Sequence, residues 1–172
     1  ASLGLNVKII GCERTDPSLY PKGIWAKLRN FAYEKADKLV VQTHKAADFC
    51  SRFQDNITII PNPVVVPDTQ TQSDITAPER PFIGSLGRLS HEKGHDILIG
   101  AFAKIAADRD DLDLLLIGDG PERADYEQMA QDLGLQGRIH FTGRSENPFS
   151  VLAQAKIFVL PSRFEGFPNA LV

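Results

Sequence analysis

Residues 81–118 read PFIGSLGRLSHEKGHDILIGAFAKIAADRDDLDLLLIG, and their pattern decides the fold. Pro81 to Leu86 is strand-like and stops at Gly87. Residues 95–107 then place Ile97, Leu98, Ala101, Phe102 and Ile105 at the spacing of one helical face. Leu112 to Ile117 is a near-continuous apolar run, the mark of a strand buried on both sides. Strand, helix and strand in this order specify parallel pairing through a right-handed crossover.

The alternation continues downstream. Asp119-Gly120-Pro121 predicts a helix start with proline in the first turn, where its missing N–H costs nothing, and Asp119 is the natural cap. That helix runs to about Leu133 and stops at Gly134. Arg138 to Thr142 reads as a strand, 147–154 as a short helix and Ile157 to Leu160 as another strand. Upstream, a β-rich run from Asn6 to Ile10 stops at Gly11. Residues 24–36 carry a helical stripe at Ile24, Trp25, Leu28, Phe31 and Ala32. Leu39-Val40-Val41 follows as a buried strand, Lys45 to Phe53 as a short helix and Ile57 to Ile60 as a strand, which Pro61-Asn62-Pro63 ends. The period is then lost until residue 80. The expected organisation is a first α/β domain over 1–65, a linker over 66–80, and a second domain over 81–172 with a Rossmann-like parallel sheet.

Composition narrows the function. The chain has 172 residues, 42% of them apolar and 24% charged, ordinary values for a globular protein. No apolar run approaches the length of a membrane span. Cys12 and Cys50 are too few and too far apart to read as a disulfide framework or zinc site, which points to a reducing, cytoplasmic compartment. The net charge of −3 divides into 10 basic and 9 acidic residues over 1–80, against 9 and 13 over 81–172. Neither half has the basic stripe that nucleic acid requires, whereas a phosphate-bearing small ligand needs only one or two placed cations. Met129 is the only methionine. No signal peptide is read at Ala1, and Asn169 to Val172 read as a helix cut short, so the chain is expected to be part of something longer.

Ligands of such sheets sit outside the carboxyl ends of the strands. The loops after Leu86, Ile117, Thr142 and Leu160 therefore share one rim. In the first, Gly87 and Gly94 admit a ligand to the backbone, the following helix aims its positive end there, and Arg88 and Lys93 suit a diphosphate. A glycine-rich turn with surface cations is the plain alternative. The loop is neither the dinucleotide fingerprint nor a Walker loop. The second, Gly118-Asp119-Gly120-Pro121, also admits a close ligand. In the third, Gly143-Arg144-Ser145, backbone groups could read a base edge while Arg144 stacks on it, or Arg144 is simply solvated. The fourth, Pro161 to Asn169, sets Glu165 and Gly166 between Phe164 and Phe167. Glu165 can accept hydrogen bonds from sugar hydroxyls there, and the N–H groups from Gly166 onward suit an anion.

Taken together, Gly87-Arg88-Leu89, Glu92-Lys93-Gly94, Gly118-Asp119-Gly120-Pro121, Phe141-Thr142-Gly143, and Pro161-Ser162 with Glu165-Gly166-Phe167-Pro168 resemble retaining glycosyltransferase family 4, of the GT-B fold. Residues 1–65 are similar, more loosely, to the end of that family's N-terminal domain, through Glu13-Arg14-Thr15-Asp16-Pro17 and Ala36 to Thr43. The resemblance implies that Arg88 and Lys93 hold the diphosphate of a nucleotide-sugar donor, a UDP-sugar, and neutralise the leaving group. It implies that Glu165 is the first glutamate of the family's Glu-x7-Glu pair. It also implies that Gly166, Phe167, Pro168 and Asn169 line the sugar and phosphates, with Phe141, Thr142, Gly143 and Arg144 beside the base; Gly87 and Gly118 are counted with them as donor-binding residues. No metal or other cofactor is implied, and the acceptor is a glycan or lipid-linked saccharide of bacterial surface polysaccharide synthesis.

The second glutamate would fall one position past Val172. The family's glycine-rich loop and the histidine near the transferred sugar have no counterpart, since neither His44 nor His91 matches that motif. The 172 residues alone are therefore expected to transfer no sugar. Lys22, Trp25, Lys27 and Arg29 form either a membrane-facing surface at the inner leaflet or a helix that buries Trp25. Two other functions compete: a non-catalytic nucleotide-diphosphate-binding module, for which Glu165 would be dispensable, and a phosphoryl-transfer or dehydrogenase domain, against which the missing Walker lysine and dinucleotide glycines count.

Overall fold

A computed structural model describes residues 7–19, 22–64, 72–165 and 170. The chain divides into two compact units, the first containing residues up to Val64 together with Phe164 and Glu165, the second running to Arg163. Each has its own parallel sheet.

In the first unit, β1 (Ile10–Glu13), α1 (Ile24–Lys35), β2 (Lys38–Val41), α2 (His44–Cys50) and β3 (Ile57–Ile59) form a sheet in the order β1-β2-β3. Thr43 caps α2, its Oγ1 accepting from the Ala46 N–H at 3.1 Å. Leu39 and Val41 pack with Tyr33 of α1 and with Ala46 and Cys50 of α2 in one core, so both helices cover the same face. The alternate residues Ile10 and Cys12 are exposed. β1 does not stop at Gly11 but runs through it to Glu13. Gly11 pairs with Leu39, and a Cβ there would come within 2.8 Å of a Leu39 methyl. That glycine serves close packing inside the strand.

The stripe on α1 also departs from expectation. Ile24, Trp25, Leu28 and Phe31 are all exposed, Trp25 by 67%, and the reading that buries Trp25 is overturned. Tyr33 is the buried residue of the helix, with its hydroxyl donating to Glu13. Arg29 lies over the Tyr33 and Phe49 rings at 5.5 and 5.1 Å. A polar face built around one tyrosine is what this helix turns to its sheet.

The second unit contains β4 (Phe82–Leu86), α3 (His95–Ala106), β5 (Asp113–Ile117), α4 (Arg123–Asp132), β6 (Ile139–Gly143), α5 (Phe149–Leu152) and β7 (Ile157–Phe158). Its strands are all parallel, in the order β6-β5-β4-β7. The chain walks one way from β4 to β6, then returns to place β7 on the other side of β4. α3 and α4 cover one face, where Leu98, Ile99, Phe102, Tyr126 and Ala130 meet Leu114 and Leu116. The α5 residues Val151 and Leu152 cover the other with Ile75 and Ala77, against Leu115 and Ile117. The buried face of α3 is His95, Leu98, Ile99, Phe102 and Ala106, one position round from the expected stripe, leaving Ile97 and Ile105 exposed. The four apolar residues at 97–99 and 102 blur the phase, and the packed helix α4 selects between the two settings.

Within the stretch read as a linker, residues 72–80 attach to the second unit. The Asp74 carboxylate accepts from the Ser145 hydroxyl and the Glu146 N–H, and the Ser73 hydroxyl donates to the Asn147 carbonyl at 2.9 Å.

Candidate functional site

A reversal of strand order opens a crevice at the carboxyl ends of the two strands that flank it, here β4 and β7. The loops that follow these strands are the ones carrying Arg88 with Lys93 and, after Pro161, Arg163. The loops after β5 and β6 are stitched to them by backbone. The Gly87 N–H donates to the Ile117 carbonyl at 3.0 Å, the Leu89 N–H to the Asp119 carbonyl at 3.1 Å, and the Gly118 N–H to the Gly143 carbonyl at 2.7 Å. Gly118 has φ +136°, and a Cβ there would fall on the Gly87 carbonyl oxygen. Three rim loops thus meet with no side chain between them, which only glycine permits.

Asp119 does not cap the next helix. α4 begins at Arg123 with Glu122 in the cap position, and the Glu122 N–H donates to the Leu89 carbonyl at 3.1 Å. The first loop satisfies the helix terminus itself, so Asp119 instead accepts from the Gly120 N–H at 2.9 Å. At β6 the register slips: Leu116 pairs with Phe141 but Ile117 with Gly143, leaving Thr142 as the extra residue of a bulge. The Thr142 hydroxyl lies 3.2 Å from the Gly143 carbonyl. Phe141 and Thr142 are half-buried, Gly143 is buried, and Arg144 is exposed beyond the bulge.

Between Leu89 and α3 the chain makes a 3₁₀ turn, His91–Lys93, then the left-handed Gly94 at φ +68°. Arg88 is exposed and Lys93 half-buried, with the Lys93 Cδ 3.9 Å from a Cβ position on Gly87. The Glu92 carboxyl is held below its usual range by its own backbone N–H, and the charges of Arg88 and Lys93 add to this. A carboxylate therefore sits among the two cations proposed for phosphate.

Sequence reasoning missed two residues here. His95, 1% exposed, opens α3 directly beneath the Gly87 turn, its Cε1 3.4 Å from a Cβ position there. Neither ring nitrogen has a hydrogen-bond partner, and burial pushes the imidazole down to about 4, so it is neutral. Its place on an apolar helical face was the available signal. The other is Arg163, whose guanidinium makes a fork to Asp96 at 2.7 and 2.6 Å and donates to the His91 carbonyl at 2.9 Å. No spacing in the chain announces that contact. Glu165 is half-buried two residues after Arg163 and belongs to the first unit. Gly166, Phe167, Pro168 and Asn169 lie outside the described residues. The structure thus brings Gly87, Arg88, Lys93, Gly118, Phe141, Thr142, Gly143 and Arg144 to one rim of one sheet.

The glycosyl transferases group 1 family matches residues 68–172. The chain belongs to this family. Among its curated relatives is an uncharacterized glycosyltransferase of Methanocaldococcus jannaschii, 28% identical over 97% of this chain and 45% of its own length. Another is a Campylobacter jejuni alpha-1,4-N-acetyl-D-galactosaminyltransferase named for a PP-undecaprenol-linked saccharide, 27% identical over 100% of this chain and 47% of its own length. The chain spans about half the length of the curated relatives it matches. Among solved structures, Anabaena HepE in complex with UDP and glucose superposes with a TM-score of 0.74 at 18% identity, over 95% of this chain and 49% of HepE. The fold of this chain is α/β, of the GT-B type. Among its described residues no helix is long and apolar enough to cross a membrane.

Proposed function

We propose that this glycosyltransferase uses the β4–β7 crevice to bind a nucleotide-sugar, specifically a UDP-sugar, and that the protein carrying it transfers the hexosyl or N-acetylhexosaminyl group with retention. The observation that carries this reading is the loop after β4, which sets two cations and the entry to α3 beside the strand reversal. Arg88 and Lys93 receive the diphosphate. As the glycosyl–phosphate bond breaks, positive charge grows on the sugar and negative charge on the departing phosphate. Fixed cations and helical N–H groups aimed at that phosphate stabilise the transition state more than the ground state, and no metal is required for this. Arg144, exposed beyond the bulge at Thr142, meets the base. Glu165, with Gly166 to Asn169, serves the donor sugar. The 172 residues, being about half the length of their relatives, bind the donor without turning it over.

Titration calorimetry with UDP, GDP and ADP tests the donor site. UDP is expected to bind, and Arg88→Ala/Lys93→Ala to lose about 3 kcal/mol, the scale of charge-assisted hydrogen bonds. A folded wild type that binds no nucleoside diphosphate, or a double variant that binds like wild type, overturns the reading.

The acceptor in this proposal is a glycan or lipid-linked saccharide, since the C. jejuni relative is named for a PP-undecaprenol-linked one. The exposed Ile24, Trp25, Leu28 and Phe31 of α1, bordered by Lys22, Lys27 and Lys35, fit peripheral contact with an anionic bilayer. Co-sedimentation with phosphatidylglycerol vesicles is expected for wild type and lost in Trp25→Ser/Phe31→Ser; equal sedimentation of the two rejects the contact.

A further inference from the structure

The two loops bordering the β4–β7 crevice are joined by more than proximity. The Arg163 N–H donates to the Glu92 carbonyl at 2.8 Å. Its guanidinium donates to the His91 carbonyl at 2.9 Å and to both Asp96 oxygens at 2.7 and 2.6 Å. Gly94, whose φ of +68° turns the chain into α3, is packed so tightly that a Cβ would strike the Pro161 carbonyl oxygen. One residue after β7 therefore holds the 3₁₀ turn by two carbonyls and the first turn of α3 by a carboxylate. Residues 91–93 include Lys93, and their geometry sets where that ammonium stands. The turn has backbone bonds of its own, from the Lys93 N–H to the Ser90 carbonyl at 2.9 Å and from the Gly94 N–H to the His91 carbonyl at 3.2 Å, but the hydrogen-bond geometry of a 3₁₀ turn is poor. A planar five-donor fork that grips a carboxylate bidentately is suited to fixing one from outside, and a lysine is not.

We infer that Arg163, through its fork to Asp96 and its bonds to the 91–93 turn, is a positioning residue for diphosphate binding. It locks the loop after β4 in the shape that presents Arg88 and Lys93. This rests on the donor-site reading above. Neither Arg163 nor Asp96 need touch the ligand.

The test compares UDP with UMP by calorimetry on wild type, Arg163→Ala, Arg163→Lys and Asp96→Asn, with the thermal midpoint of each recorded. If the strap positions the cations that grip the second phosphate, all three variants lose about tenfold in UDP affinity while UMP affinity holds, so the UDP-to-UMP ratio falls. Arg163→Lys fails to rescue, because it keeps the charge but not the fork. A general loosening of the unit would weaken both nucleotides together, and that result overturns the inference. So does an unchanged ratio in a wild type that binds UDP, which leaves the donor site standing. A wild type that binds neither nucleotide overturns the donor reading itself, and the strap's role with it.

Discussion

The two parallel sheets of this chain are built from similar strands and solve different problems. The second is closed on both faces, with α3 and α4 on one side and α5 with residues 75–77 on the other. Its central strand is buried throughout. The first has both helices on one face, leaves Ile10 and Ile60 exposed, and presents the apolar stripe of α1 outward. Hydrophobic runs therefore mean different things in the two units. In the second they report the core, because a parallel strand between two helical layers has no polar side to show. In the first they report surface as well as core, and the residue that anchors α1 is a tyrosine bonded to a glutamate.

The sharpest way to break this contrast is to truncate one phenylalanine in each helix. Phe102 is 1% exposed in the core of the second unit, with Arg138 5.5 Å over its ring, whereas Phe31 is 53% exposed. Phe102→Ala is expected to cost about 4 kcal/mol, the scale of a large buried side chain lost with its cavity. Phe31→Ala is expected to stay within about 0.5 kcal/mol. Hydrogen exchange on the whole chain reads both, since the amides of each sheet report their own unit. Equal losses would mean that α1 buries its stripe in solution.

The same contrast explains how much was legible in the sequence. The β4–α3–β5 unit could be read from residues 81–118 because its strands are apolar on both faces and its helix is long enough to show a period. The rim glycines were legible as close-approach positions for the same local reason, and the family motifs fell on the loops after the strands. What escaped was set by partners distant in sequence. The phase of α3 was chosen by α4, and Gly11 was placed inside β1 by Leu39 rather than at its end. Asp119 lost its capping role to the Leu89 carbonyl. The bulge at Thr142 depends on register with β5, and Arg163 reaches Asp96 across 67 residues. Local pattern finds elements and the loops that carry chemistry. It does not find the contacts that hold those loops in shape.

His95 separates the two units by pH, with a somewhat smaller effect than the core truncation. Burial holds the folded imidazole at about 4; Asp96 nearby pulls the other way, and Lys93 adds to the depression. An unfolded histidine titrates near 6.5. Between these values the unfolded chain takes up a proton that the folded second unit refuses, so stability is complete above about pH 6.5 and falls as the pH drops toward 4. The shift corresponds to about 3 kcal/mol. Among the described residues the core of the first unit contains no histidine, and its Asp37 carboxyl, held low by the Ile9 N–H and then by Lys8, titrates below this window. Acidification from pH 7 to 4.5 should therefore lower the exchange protection factors of β4 and β5, taken relative to the intrinsic amide rate at each pH, while leaving those of β2 unchanged. His95→Gln, which cannot titrate, should flatten the response of the second unit. Because His95 lies under the Gly87 turn, its protonation would loosen the loop after β4 before the sheet, and on the proposed donor site UDP affinity should decline over the same pH range in wild type but not in His95→Gln. A parallel loss in both units, or an undiminished loss in His95→Gln, would assign the acid sensitivity to other groups.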